Sequence, residues 1–190
     1  MSGAGIDGSW YLDVTAWAKD SHWLNSAMNV YTTVSIGVLI LMLLWAWWRS
    51  RDQTNNPLVR LAAVAVGIGV AIGANELVKA LVQERRPCLS LPQAYTVVAC
   101  PGATDYSFPS NHTALAGALV AALFFFSRRL GWIGLALALI EGFSRVYLGE
   151  HYPHDSVVGL LLGLIVTTAV ARVLSPLTVH WLARREQQAN

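Results

Sequence analysis

Three short clusters hold most of the residues able to do chemistry in this 190-residue chain. The first is Lys79-Ala-Leu-Val-Gln-Glu-Arg-Arg86-Pro87, in which Lys79 and Arg86 stand seven apart, close to two full helical turns. Pro87 disfavours helix at Arg86 and marks the end of the segment, so both cations are expected to project from one side of an apolar helix. The second is Phe108-Pro109-Ser110-Asn111-His112-Thr113. Pro109 is at home near a helix start, and a helix N-terminus offers free N–H groups and the positive dipole end to an anion. Ser110 adds a hydroxyl, and His112 exchanges a proton near neutral pH. The third runs from Ser144 and Arg145 through Gly149 to His151, His154 and Asp155. His151 and Asp155 are four apart and share a face if the segment is helical. The carboxylate would then fix one ring nitrogen and leave the other free to attack or to accept a proton. His154 falls elsewhere on such a helix and reads as an interfacial residue.

Each cluster alone has an ordinary reading: a snorkelling Lys or Arg, a helix cap with an incidental His, a turn. Together they supply three cations, two histidines, a carboxylate and a helix N-terminus. That inventory suits a phosphoryl group, whose transfer depends on positioning and on neutralising spread negative charge. Arg matches phosphate oxygens in a bidentate way. The chain has no Walker-type glycine loop and no acidic cluster of the kind that holds Mg²⁺, so the cations must come from the protein. No metal and no cofactor are expected.

Lys-x₆-Arg-Pro, Pro-Ser-x-His and Ser-Arg-x₅-His-x₃-Asp, in this order and spacing over Lys79–Asp155, resemble the three signature motifs of the type 2 phosphatidic acid phosphatase (PAP2) superfamily. The resemblance implies that His151 attacks phosphorus and forms a phosphohistidine. It implies that Asp155 orients His151, and that His112 protonates the leaving oxygen and then activates water. Lys79, Arg86, Arg145, Ser110 and the Asn111 backbone would bind the phosphate. Asn111 is a departure, since many members have Gly there. Few extramembrane residues and a short N-terminal lead-in look like the bacterial undecaprenyl-diphosphatase branch, which removes the terminal phosphate of undecaprenyl diphosphate. Phosphatidylglycerophosphate, phosphatidate and polyprenyl-phosphoribose phosphate would use the same residues. A lipid or phosphate transporter is the competing class, because buried Glu76, Glu141 and Arg145 would suit an ion pathway. Against it, internal repeats are not evident.

The positioning elements follow from composition. The chain is 55% hydrophobic and 13% charged, about half the charge of a soluble domain. Ser21–Trp48 and Tyr106–Ser127 are charge-free runs of 28 and 22 residues, and a helix needs ~20 apolar residues to cross a bilayer. The expected fold is an all-α integral membrane bundle, one domain over residues 1–190, with five spans near 26–48, 58–82, 110–127, 130–148 and 155–174. Arg49, Arg51, Arg60, Arg128, Arg129, Arg184 and Arg185 then share one side, which the positive-inside rule assigns to the cytoplasm of a plasma-membrane protein. The three clusters fall on the opposite, outer face, with membrane lipids and a lipid phosphate as partners. No basic tract points to nucleic acid; the oligomeric state is open.

Residues 1–25 carry no basic region before an apolar core, so no cleavable signal is expected. They read either as an interfacial helix with Trp10, Val14, Trp17 and Ala18 on its apolar stripe or as an irregular lead-in with an aromatic anchor. Residues 175–190 read as a short solvated cytoplasmic tail. Trp45–Trp48 and Trp132 read as an interface belt. Cys88 and Cys100, with eleven residues between them, would close a small loop if paired, worth about 2–3 kcal/mol; independent thiols are the alternative. Glu141, four before Arg145, and Glu76, three before Lys79, are expected to support those cations by charge pairing. Leu, Val and Phe residues of spans two to four are expected to line the lipid groove.

Overall fold

The computed structural model describes residues 2–53 and 56–189. Among them run seven α-helices and no strand: α1 Ala4–Asp20, α2 His22–Ser50, α3 Pro57–Val82, α4 Pro87–Ser90, α5 Asn111–Phe126, α6 Arg128–Tyr147 and α7 Pro153–Ala189. A single 3-10 turn, Arg51–Gln53, follows α2. Four helices are long and apolar enough to cross a membrane: α2, α3, α6 and the Pro153–Pro176 part of α7.

The third expected span, near 110–127, is α5, shorter than the apolar run that announced it. α5 has 16 residues, about 24 Å of helix against a hydrocarbon core of about 30 Å. Tyr106–Ser110 stay outside it, with Ser110 in extended conformation as its N-cap. α5 tolerates this length because it is the central post of the bundle. From Thr113 to Leu123 nearly every residue is buried, and α2, α3, α6 and α7 all pack on it. A helix apolar on every side belongs in such a place. Small residues bring α5 and α7 together backbone to backbone: a Cβ on Gly163 would overlap the Ala114 carbonyl oxygen. Leu39, Leu43, Val64, Leu119, Val120 and Leu123 fill the remaining core.

Two contacts fix which ends meet. Asn75 near the end of α3 bonds Asn111 at the start of α5, while Arg60 at the other end of α3 donates to the Phe125 carbonyl. The starts of α2, α5 and α7, the ends of α3 and α6, and the long 83–110 loop therefore gather at one end. Trp45, Trp48 and Trp132 are exposed on the helices at the other. α2 and α3, although consecutive, scarcely touch each other, and each packs on α5 instead.

Both termini are helical. α1 is a helix, but Trp10 and Trp17 point outward, 69% and 47% exposed. The face that docks on the bundle is Gly8, Tyr11, Thr15 and Ala18, because the Tyr11 hydroxyl reaches in to donate to the Gly149 carbonyl at 3.0 Å. Residues 175–189 continue α7 as helix. The side chains of Arg184 and Arg185 lie outside the described residues.

Candidate active site

The α3 helix stops before the first cluster is complete. Gln83 adopts a left-handed conformation (φ 51°) and its N–H closes on the Lys79 carbonyl. Arg86, extended before Pro87 (φ −56°, ψ 144°), thus reaches the site by a turn, not as the second of two cations stacked on one helix. Lys79 Nζ donates to the Tyr106 carbonyl at 3.0 Å. Arg86 Nε and Nη2 donate to the Asp105 carbonyl and carboxylate at 3.2 and 3.0 Å. Arg86 Nη1 donates to the Glu150 carbonyl and lies 3.0 Å from His151 Nε2. Residues 105–107 are therefore the strap between the two cations, held in turn by the Ser107 N–H on the Glu84 carbonyl at 2.8 Å. The loop behind them is closed by a Cys88–Cys100 disulfide, Cα atoms 6.0 Å apart.

His151 precedes α7 instead of lying on it. Gly149, at φ +88°, makes the turn that only a residue without Cβ takes freely, and the His151 N–H returns to the Arg145 carbonyl. Asp155 sits in the first turn of α7, where its Oδ2 accepts from the Tyr152 N–H at 2.9 Å and from the Ser107 hydroxyl. The same oxygen faces His151 Nδ1 at 3.3 Å. The expected pair is present, but through a helix-start geometry rather than a shared helical face. Burial pushes the His151 imidazole down to about 4; Arg86 and Arg145 push the same way, against the opposing pull of Asp155. At pH 7 the ring is neutral. With Nδ1–H directed at Asp155, Nε2 carries the lone pair and points to the guanidinium of Arg86. An imidazole so oriented can act as a nucleophile toward an anion drawn in by that cation.

At the α5 N-terminus, the Ser110 hydroxyl is buried without a hydrogen-bond partner. The Asn111 side chain turns away to α3, accepting from Asn75 and donating to Glu76, both at 2.7 Å. His112 lines a cavity of about 580 Å³ with Thr32, Arg145 and Glu150, and the charges of Arg145, Arg86 and Lys79 all act on its ring. Both imidazoles are thus at the same end of the bundle, and Arg86 and Arg145 act on both. The cavity draws its walls from α2, α5, the 83–110 loop and the end of α6, with Ile36 and Leu115 at its apolar side.

The acids are placed differently from expectation. Glu141 is fully buried but does not touch Arg145; it accepts from Thr32 and Ser35 of α2 at 2.6 and 2.7 Å. Arg145 instead pairs with Glu150 at 2.5 Å. Glu76 faces outward and holds Asn111, while Lys79 turns inward to a carbonyl, so that pairing too is absent. Asp105, Ser107, Glu150 and Thr32 are the site residues that sequence reasoning missed. Asp105 and Ser107 lie in a loop where acids and hydroxyls are ordinary, and only Glu150, next to His151, carried a positional signal.

The chain is similar in sequence and in fold to known proteins. The chain is 33% identical over 144 residues to undecaprenyl-diphosphatase BcrC of Bacillus subtilis (strain 168), covering 75% of this chain and 71% of that protein. It is 33% identical over 137 residues to the protein named bacitracin transport permease protein BcrC of Bacillus licheniformis, covering 72% of this chain and only 61% of that one. The crystal structure of Aquifex aeolicus LpxE superposes with a TM-score of 0.69 at 19% identity, over 88% of this chain and 95% of that chain. Residues 60–178 match the PAP2 superfamily model, and the chain belongs to that superfamily.

Proposed function

We propose that this chain is a membrane lipid phosphatase that hydrolyses undecaprenyl diphosphate to undecaprenyl phosphate and phosphate at the outer face of the plasma membrane. The observation that carries the reading is the buried His151 imidazole, held between Asp155 on Nδ1 and Arg86 on Nε2.

In the first step His151 Nε2 attacks the terminal phosphorus. The bond from phosphorus to the bridging oxygen breaks, and His112 gives its proton to that oxygen as the lipid monophosphate departs. The Asp155 carboxylate stabilises the positive charge that develops on His151. In the second step water attacks phosphorus, its proton passes to His112, and the P–N bond breaks to release phosphate and free His151. Lys79, Arg86, Arg145, the Ser110 hydroxyl and the Asn111 N–H hold the phosphoryl oxygens, so the charge is met by the chain itself and turnover proceeds without added metal. Ile36 of α2 and Leu115 of α5, on the apolar side of the cavity, would receive the first carbons of the isoprenoid tail. The relative from Bacillus subtilis named for the same diphosphate supports this choice among lipid phosphates.

Phosphate release from purified protein in detergent with EDTA tests the reading, with undecaprenyl diphosphate, phosphatidylglycerophosphate and phosphatidate as alternatives. Preference for the diphosphate and an acid-labile phosphoprotein lost in His151→Ala are expected. Equal rates on all three lipids would sink the substrate choice. Headgroup flux that persists in His151→Ala, without hydrolysis by the wild type, would make the chain a transporter.

A further inference from the structure

Beside the catalytic constellation lies a second cluster that the reaction does not use. His154, at the start of α7, stands among three carboxylates from three parts of the chain. Its Nδ1 is 2.8 Å from Asp7 Oδ1 of α1. Its Nε2 faces Glu84 Oε1 and Oε2 at 3.1 and 3.4 Å and Asp155 Oδ1 at 3.4 Å. Glu84 and Asp155 are buried, and Asp155 Oδ1 accepts no hydrogen bond. The other Asp155 oxygen is the one that serves His151.

One ring nitrogen therefore confronts three carboxylate oxygens. A proton on Nε2 can serve them only by being shared, whereas a cation in their midst would be bound by all. In a tetrahedral site with bonds of about 2.1 Å the ligand atoms stand about 3.4 Å apart, close to the 3.1, 3.4 and 3.4 Å from Nε2 to the three oxygens. One imidazole with carboxylate oxygens is a donor set for zinc-like divalent ions. Asp7 completes the arrangement in the usual way for a metal-ligating histidine, by taking the proton of the far ring nitrogen and fixing the ring. Asp7 is built for this: it breaks the α1 helix with φ −145°, and its second oxygen accepts from the His154 N–H at 2.7 Å. Gly3 closes over the group so tightly that a Cβ there would collide with Glu84 and His154.

We propose that Glu84, His154 and Asp155 form a binding site for a zinc-class divalent cation, oriented by Asp7, whose occupation slows the catalytic step. The second half rests on the phosphatase reading. A cation on Oδ1 draws electron density from the Asp155 carboxylate. Oδ2 then holds His151 Nδ1–H less strongly and stabilises its positive charge less.

Isothermal calorimetry of the full chain in detergent, stripped with a chelator and titrated with Zn²⁺, tests binding without reference to turnover. One zinc per chain is expected, together with a visible absorption band when Co²⁺ replaces it. Glu84→Gln and His154→Gln should each weaken binding by about 100-fold, and Asp7→Asn by about 10-fold. Thermal transitions of the variants report their fold independently. No binding at 100 µM zinc, or unchanged affinity in folded Glu84→Gln and His154→Gln, would overturn the site. With metal-free enzyme active, saturating zinc should lower kcat in the wild type and not in Glu84→Gln. A kcat indifferent to bound zinc would overturn the coupling through Asp155.

Discussion

Glu141 and Arg145, one helical turn apart on α6, do not touch; the Thr32 hydroxyl of α2 stands between them, donating to Glu141 at 2.6 Å and lying 3.1 Å from Arg145 Nη1. A single hydroxyl thus ties a buried acid to a phosphate-facing cation, and ties both to another helix. Thr32→Val keeps the shape and removes the link, leaving a guanidinium donor and a carboxylate oxygen short of partners. A loss of about 1–2 kcal/mol is expected, seen as a lower thermal transition in detergent, with KM raised more than kcat is lowered. An unchanged KM would mean that Arg145 is positioned by Glu150 alone.

The neutral state of His151 has a pH signature. Its folded value of about 4 lies below the ordinary 6.5 of a free imidazole. Between these values the unfolded chain binds a proton that the folded chain refuses. The stability associated with His151 is therefore complete above pH 6.5, falls as pH drops toward 4, and falls no further below it. For catalysis, kcat/KM reports the free enzyme, so its acid limb, corrected for ionisation of the substrate, should have a midpoint near 4. A midpoint near 6.5 would place His151 in solvent rather than in its buried seat.

The strap of residues 105–107 connects the disulfide loop to chemistry. Asp105 holds Arg86, the Tyr106 carbonyl holds Lys79, and Ser107 holds Asp155. Reduction of Cys88–Cys100, or replacement of both by Ser, frees the loop that precedes this strap. By chain entropy the bond contributes about 3 kcal/mol. Its loss should lower the thermal transition and raise KM for any lipid phosphate. Ser107→Ala acts further along the same path: it removes one of the donors to Asp155 Oδ2, leaving the Tyr152 N–H and His151, and should reduce kcat about 10-fold with little change in KM, measured as initial rates of phosphate release.

Much of this site was legible in the chain because charge is so costly in a bilayer. Lys79, Arg86, Arg145 and His151 stood out against apolar surroundings, and proline and glycine marked the turns that bring them together. What was not legible is how those groups are held. Glu141 and Glu76 were read as partners of the nearest cation on their own helix, because helical spacing is all that sequence displays. Their partners are on other helices, Thr32 and Ser35 for Glu141 and Asn111 for Glu76, and no periodicity announces a contact between α2 and α6. The same holds for His154. On a helix of its own it faces away from His151, yet Asp7, some 147 positions earlier, turns it into the centre of a cluster. The central helix shows the same limit in a milder form: α5 keeps the expected 110–127 to within a residue at each end, but the charge-free run that announces it is longer, because hydropathy does not distinguish a helix from the strap that leads into it.

Glu150 is the acid that the phosphate must contend with. It pairs with Arg145 at 2.5 Å inside the cavity that His112 lines, so an arriving phosphate meets a cation already engaged and a negative charge beside it. Glu150→Gln keeps the size, weakens the hold on Arg145 and removes the repulsion. Inorganic phosphate, the released product, gains most from this because it has no lipid tail to anchor it. Its inhibition constant should fall about 10-fold, equivalent to about 1.4 kcal/mol. Turnover should then become limited by product release, visible as a burst in the first cycle followed by a slower steady rate. If Glu150 instead serves to aim the guanidinium, the same substitution weakens phosphate binding and no burst develops, and the direction of the change in the inhibition constant decides between the two roles.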